Sequence, residues 1–234
     1  MGASPDLETQ VETQRTINIG ESRTVERQTD RTHTLEARID AILHPAAADP
    51  VEQRPAMPSV PATVSAYDNS IIGTPLASQQ QCVSYLLSVN PTPNISVTPQ
   101  ELVAYYYEEG TREGIRPDVA FAQALKETGF FRYGGTVTPD QNNYCGLGTT
   151  SSQVKGAYFD SAKLGVRAQI QHLLAYVSTR TPAEPVVDPR YSLVRSSYGA
   201  QTLGTWDDLN GRWAVPGYSY GQSIMSIFRA MLMK

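Results

Sequence analysis

Pro117-Asp118-Val119-Ala120-Phe121-Ala122-Gln123-Ala124-Leu125-Lys126-Glu127-Thr128-Gly129 decides how the rest of the chain is read. Arg116-Pro117-Asp118 opens a helix, because a proline at the first helical position gives up an N–H that has no intrahelical acceptor anyway. The helix is predicted from Val119 to about Thr128, with Gly129 as its stop. One and two turns before Glu127 lie Gln123, Ala124 and Ala120, a face of small side chains suited to packing against a neighbour. Glu127 therefore looks inward or into a cleft. The negative end of the helix dipole, with Phe130 and Phe131 close behind, disfavours its charged form and raises its pKa. A carboxyl held protonated near neutral pH is what a general acid needs to pass a proton to a leaving oxygen. On these residues alone, a Glu at a frayed helix end paired with Lys126 or Arg132 is the competing reading.

Outward from this segment the signals stay helical. Thr98-Pro99-Gln100-Glu101 is a capping box opening a helix through about Glu113. Cys82, Tyr85, Leu86 and Val89 stripe a shorter helix that Pro91 and Pro93 end. Asp160 is the expected N-cap of a long helix with Val166, Ile170, Leu173, Leu174 and Val177 on its apolar face. Tyr220, Ile224, Ile227, Phe228 and Met231 mark a final one. Between Gly134 and Phe159, Gly, Thr, Asn and Ser break the pattern, which predicts turns with a short hairpin. The expectation is a mainly α domain with a small irregular or β-hairpin insertion.

Charge and aromatic content divide the 234 residues unevenly. Up to residue 79 there are 11 acidic and 6 basic residues; from residue 80 there are 12 acidic and 13 basic. Of 20 Phe, Trp and Tyr residues, only Tyr67 precedes residue 80, so the first part can bury little by itself. Three segments are expected: a docking arm over 1–44, a Pro/Ala-rich linker over 45–77 and a folded body over 78–234. No apolar run approaches the roughly 20 residues of a membrane span, no secretory signal is visible at the start, and the net charge of −4 offers nucleic acid no general attraction. Two cysteines and three histidines argue against zinc motifs and a disulfide framework. Cys82 and Cys145 are read as separate, reduced and partly buried, and His172 as structural.

After Gly129 comes Gln141-Asn142-Asn143-Tyr144-Cys145-Gly146-Leu147-Gly148. Paired Asn residues before a glycine turn are turn formers, and their amides also suit an N-acetyl group. The helix ending Lys126-Glu127-Thr128-Gly129 followed by Asn142-Asn143-Tyr144-Cys145-Gly146-Leu147 resembles the bacterial and phage glucosaminidase domain, glycoside hydrolase family 73. Phe159 to Gly165, Asp188-Pro189-Arg190-Tyr191, Trp213-Ala214-Val215-Pro216-Gly217 and Tyr220-Gly221 extend the resemblance over roughly residues 78 to 234.

The resemblance implies a lysozyme-like helical fold and an endo-acting hydrolase of the β-1,4 bond between N-acetylglucosamine and N-acetylmuramic acid in peptidoglycan, with no cofactor or metal. Glu127 matches the general acid, and Tyr191 the tyrosine that lines the reaction centre. Asn142 and Asn143 match the paired Asn with structural or substrate-binding duty; Tyr144, Trp213 and Tyr220 are expected near substrate. Trp206 and Trp213 both suit sugar stacking, Trp213 being better placed to face the groove. Cys145 stands where the family often has Phe. The insertion from Gly148 to Tyr158 lacks the acidic residue that some members carry, which leaves Asp140 as a possible base or the substrate's own N-acetyl group as its replacement. Expected partners are glycan strands and, through the arm, a phage-tail or injection-type assembly. A lytic transglycosylase and a non-catalytic wall-binding module are the alternatives.

Overall fold

The computed structural model describes residues 65–149 and 154–234. The docking arm and the linker as far as residue 64 lie outside the described residues. Among these described residues six α-helices follow in order: α1 (Gln79–Val89), α2 (Pro99–Glu113), α3 (Pro117–Glu127), α4 (Ala162–Val177), α5 (Tyr191–Tyr198) and α6 (Tyr220–Met231). Two 3₁₀ turns, Pro139–Gln141 and Trp206–Leu209, punctuate them. This is the mainly helical, lysozyme-like architecture expected. Of the two forms expected for the insertion, the described residues show the irregular one: only isolated bridges occur among them, and the segment before α4 has no strand.

Local chemistry explains most boundaries. Ser78 and Gln81 form a capping box on α1, as Thr98 and Glu101 do on α2, each satisfying helix N–H groups that have no partner within the helix. Gly114 ends α2 in the left-handed conformation. Ser161 caps α4 by accepting from the Leu164 N–H. Asp160, expected in that role, is exposed one residue too early. Helix α5 has no side-chain cap and carried no clear signal in the sequence.

Helix α3 is central, packing on α1, α2 and α6, while α2 also packs on α4, which carries α5. Every residue of α3 from Pro117 to Leu125 is buried. Arg167 holds the buried Glu109 through two hydrogen bonds, 3.1 and 3.0 Å, tying α4 to α2. Cys82 and Cys145 are free and buried, and Trp206 lies in the core.

The linker expected over 45–77 ends earlier than that, because residues 65–77 are built into the body. Ile71 is fully buried; its N–H donates to the Gly204 carbonyl and its carbonyl accepts from the Arg116 N–H, both at 3.0 Å. The N–H groups of Leu76 and Ala77 donate to the Asp118 carboxylate at 2.8 and 3.0 Å. An aliphatic residue between two backbone partners is worth more inside the core than in solvent, a signal that the scarcity of aromatics before residue 80 concealed.

Candidate active site

Glu127 is the last residue of α3, and the chain beyond it is locked. Gly129, Phe130, Phe131 and Tyr133 all have φ near +58 to +59°, a left-handed conformation that costs a non-glycine residue about 1–2 kcal/mol. Hydrogen bonds and packing over-determine it. The Phe130 N–H donates to the Leu125 carbonyl at 2.7 Å and the Tyr133 N–H to the Thr128 carbonyl at 2.9 Å. Thr128 Oγ1 donates to the Ala124 carbonyl and accepts from the Phe131 N–H. Asn90 and the Asn94 N–H donate to the carbonyls of Phe130 and Phe131. Phe131 itself is buried in the core.

Three depressions that share lining residues lie at and beside this helix end. The first, about 320 Å³, is lined by Glu127, Tyr133, Val137, Gly146 and Trp213. The second, about 450 Å³, shares Glu127 and Ala214 with it and continues past Pro216, Tyr218 and Tyr220. The third, about 300 Å³, lies beyond Trp213 and is bounded by His172, Arg190 and Arg212. Glu127 thus stands where the first two meet, and Trp213 where the first and third meet.

Among the described lining residues of all three, Glu127 is the only carboxylic acid. Its carboxyl is held above the ordinary range, chiefly because the surrounding protein displaces water, against the opposing pull of the Tyr220 hydroxyl and the Lys126 ammonium. Glu127 is nevertheless exposed at its outer face, so this desolvation comes from the walls of an open cleft rather than from enclosure.

The other expected residues divide into two sets. Trp213 and Tyr220 join Glu127. Their rings stack 14° from parallel with centroids 6.4 Å apart, and the buried Tyr220 hydroxyl donates to Glu127 Oε1. The underside of Trp213 is set edge-on against His172, which is paired with Asp188 at 2.8 Å. Asn142, Asn143 and Tyr144 lie beneath the groove. Asn143 donates to the carbonyls of Leu147 and Ala157 and accepts from the Leu147 N–H. Asn142 donates to the Phe159 carbonyl and accepts from Ser96 and Tyr144. All three are buried, so the geometry shows these amides bracing the loop that carries Cys145 and Gly146.

Tyr191 and Asp140 are not among the residues that line the three depressions, although Arg190, next to Tyr191, lines the third. The Tyr191 hydroxyl donates to the Arg180 carbonyl at 3.1 Å. Asp140 is exposed on the first 3₁₀ turn, with its pKa lowered mainly by a hydrogen bond from Thr138. Sequence reasoning missed Gln169 and the bonding role of Gln123, which lie buried behind Tyr220. Their polarity within otherwise apolar helix faces was the available signal. Among the described residues no cluster of His, Cys, Asp or Glu is arranged to hold a metal, and no helix is long and apolar enough to cross a membrane.

One protonatable carboxyl among the described residues of these open depressions, beside an aromatic wall, suits acid catalysis on a polar polymer. The sequence agrees with that class. Residues 103–232 match the glucosaminidase family model, described as mannosyl-glycoprotein endo-beta-N-acetylglucosaminidase, and the chain belongs to this family. An uncharacterized protein of Borreliella burgdorferi is 35% identical over 135 residues, which cover 58% of this chain and 64% of that protein. The match therefore spans a little under two thirds of the relative's length. No solved structure matches the chain.

Proposed function

We propose that the protein is a peptidoglycan hydrolase that cleaves the β-1,4 bond between N-acetylglucosamine and N-acetylmuramic acid, with Glu127 as general acid and the substrate's N-acetyl group as nucleophile. Family membership supports glycosidic chemistry. The observation that carries the rest is that Glu127 is the only carboxylic acid among the described residues of the groove, while Gly148 to Tyr158 contains no Asp or Glu at all. A two-carboxylate mechanism needs a partner about 5–10 Å away. Without one, the acetamido oxygen of the N-acetylglucosamine unit bonds to C1 as the C1–O4 bond breaks. Glu127 protonates the departing O4 of the muramyl unit. Water then attacks C1, reopening the oxazolinium ring and giving its proton to the Glu127 carboxylate. Two inversions at C1 return a β product.

The test is clearance of purified cell walls by wild type and by Glu127→Gln, with products identified by mass spectrometry and the first-formed anomer by NMR. Replacing a general acid lowers the rate by about 10²–10⁴-fold, and Gln still accepts the Tyr220 hydrogen bond, so folding is preserved. Reducing-end N-acetylglucosamine in the β form is expected. Equal clearance by both proteins removes Glu127 as the acid, and no clearance by either favours a non-catalytic wall-binding module. Anhydro-muramic ends make the protein a lytic transglycosylase, and a first-formed α anomer points to a separate base.

A further inference from the structure

Behind Glu127 runs a chain of buried hydrogen bonds that joins four helices. The Tyr106 hydroxyl on α2 donates to Gln169 Oε1 on α4 at 2.6 Å. Gln169 Nε2 donates to Gln123 Oε1 on α3 at 2.8 Å and to the Ala120 carbonyl at 3.0 Å. Gln123 Nε2 donates to the Tyr220 hydroxyl on α6 at 2.9 Å, and that hydroxyl donates to Glu127 Oε1. Tyr106, Gln123 and Gln169 are fully buried, and Tyr220 nearly so.

The direction of this chain follows from one backbone atom. A carbonyl only accepts, so the Ala120 oxygen must face the NH₂ end of Gln169, and the Gln169 oxygen must face Tyr106. The second hydrogen of that NH₂ then meets the Gln123 oxygen, which turns the Gln123 NH₂ toward Tyr220. Facing a group that offers only hydrogens, the Tyr220 oxygen accepts there, and its single proton is left for Glu127. An acid proton on Oε1 would collide with that hydrogen. Oε2 takes no hydrogen bond from any described residue and belongs to a side chain that lines the groove on two sides.

We propose that Tyr220, Gln123 and Gln169 are positioning residues whose backbone-anchored hydrogen bonds hold the acid proton of Glu127 on Oε2, the oxygen that meets the leaving group. The same donor remains on Oε1 when the proton has gone and stabilises the carboxylate that later receives the water proton. The catalytic half of the inference rests on the reading of Glu127 as general acid. The directional half concerns the carboxyl itself and is open to measurement in a protein that turns nothing over.

Two readouts test it on the full chain. The first is the titration of Glu127 by ¹³C NMR of glutamate-labelled protein, assigned by the missing signal of Glu127→Gln. Tyr220→Phe removes the donor and should move that titration to higher pH, since the donor favours the charged form; Gln123→Leu should move it the same way by a smaller step. Lys126, Cys145, Tyr133 and Tyr218, the other titratable groups around the carboxyl, are unchanged in these variants. The second readout is kinetic. In an active enzyme, Tyr220→Phe should lower kcat about 10–100-fold with KM nearly constant and carry the alkaline limb of the pH–rate profile upward. Adding Gln123→Leu to Tyr220→Phe should cost little more, because Gln123 acts only through the missing hydroxyl. An unmoved or lowered Glu127 titration, or additive losses in the double variant, overturns the inference even if Gln123→Leu alone fails to fold. An inactive wild type, or a Glu127→Gln protein as active as wild type, overturns the proposed function instead, while the titration still decides the direction of the chain.

Discussion

Ile71 tests whether residues 65–77 belong to the cooperative unit. Its side chain is fully buried in the main core, and its backbone is bonded on both sides, to Gly204 and to Arg116. Ile71→Ala deletes three buried carbons in a site that these two backbone bonds prevent from collapsing. Such truncations cost about 2–5 kcal/mol, and the anchored backbone favours the upper half of that range. For a body of this size each kcal/mol lowers Tm by about 2–4 °C, so a fall of about 7–20 °C is expected. Circular dichroism at 222 nm during a thermal scan measures it. Tyr67→Ala, in the same segment but 84% exposed, serves as control and should move Tm by little. A stricter arm compares chains shortened to begin at residue 65 and at Ser78. The first should melt like the full chain's body. The second lacks Ile71 and both N–H groups that meet the buried Asp118 carboxylate, and should lose its cooperative transition. An Ile71→Ala shift below about 2 °C, or a chain from Ser78 that melts unchanged, would refute the reasoning.

Two further outcomes concern the loop and the groove. Gly165 sits in α4 where an added Cβ would lie 1.8 Å from the Asn142 carbonyl oxygen; Gly165→Ala should therefore lower Tm by about 4–12 °C, although the same exchange in an open helix stabilises by up to about 1 kcal/mol, and a rise in Tm would show that the loop yields. Trp213→Ala removes the aromatic wall between two depressions and should raise KM for glycan strands about tenfold with kcat less affected. An unchanged KM would remove Trp213 from substrate contact.

Helix starts were legible because capping is local: Ser, Thr or Pro within four residues of the first turn announces α2 and α3 without reference to anything distant. The burial of α3 was legible too, since Ala120, Gln123 and Ala124 share a face only at helical spacing. Helix α5 was not, because the residue before it, Arg190, provides no capping side chain and its short length leaves little periodicity. The network behind Glu127 was out of reach for a different reason. Tyr106, Gln169, Gln123 and Tyr220 are separated by 46 to 97 residues along its bonds, and no local pattern encodes which buried amide will face which hydroxyl. Asn142 and Asn143 were singled out by residue type, but only the loop's backbone carbonyls, visible once folded, show where their donors go.

The left-handed run after Glu127 bears on how the protein would fail on warming. Helix C-termini ordinarily fray, opening and closing far below the global transition. Here the N–H groups of Phe130, Phe131 and Tyr133 and the carbonyls of Phe130 and Phe131 are all engaged, with partners as distant as Asn90 and Asn94. These amides should exchange with solvent on the timescale of core amides rather than of a helix end. The carboxyl at the groove is then as durable as the core behind it, so activity and fold would disappear at the same temperature, with no inactive native state between them.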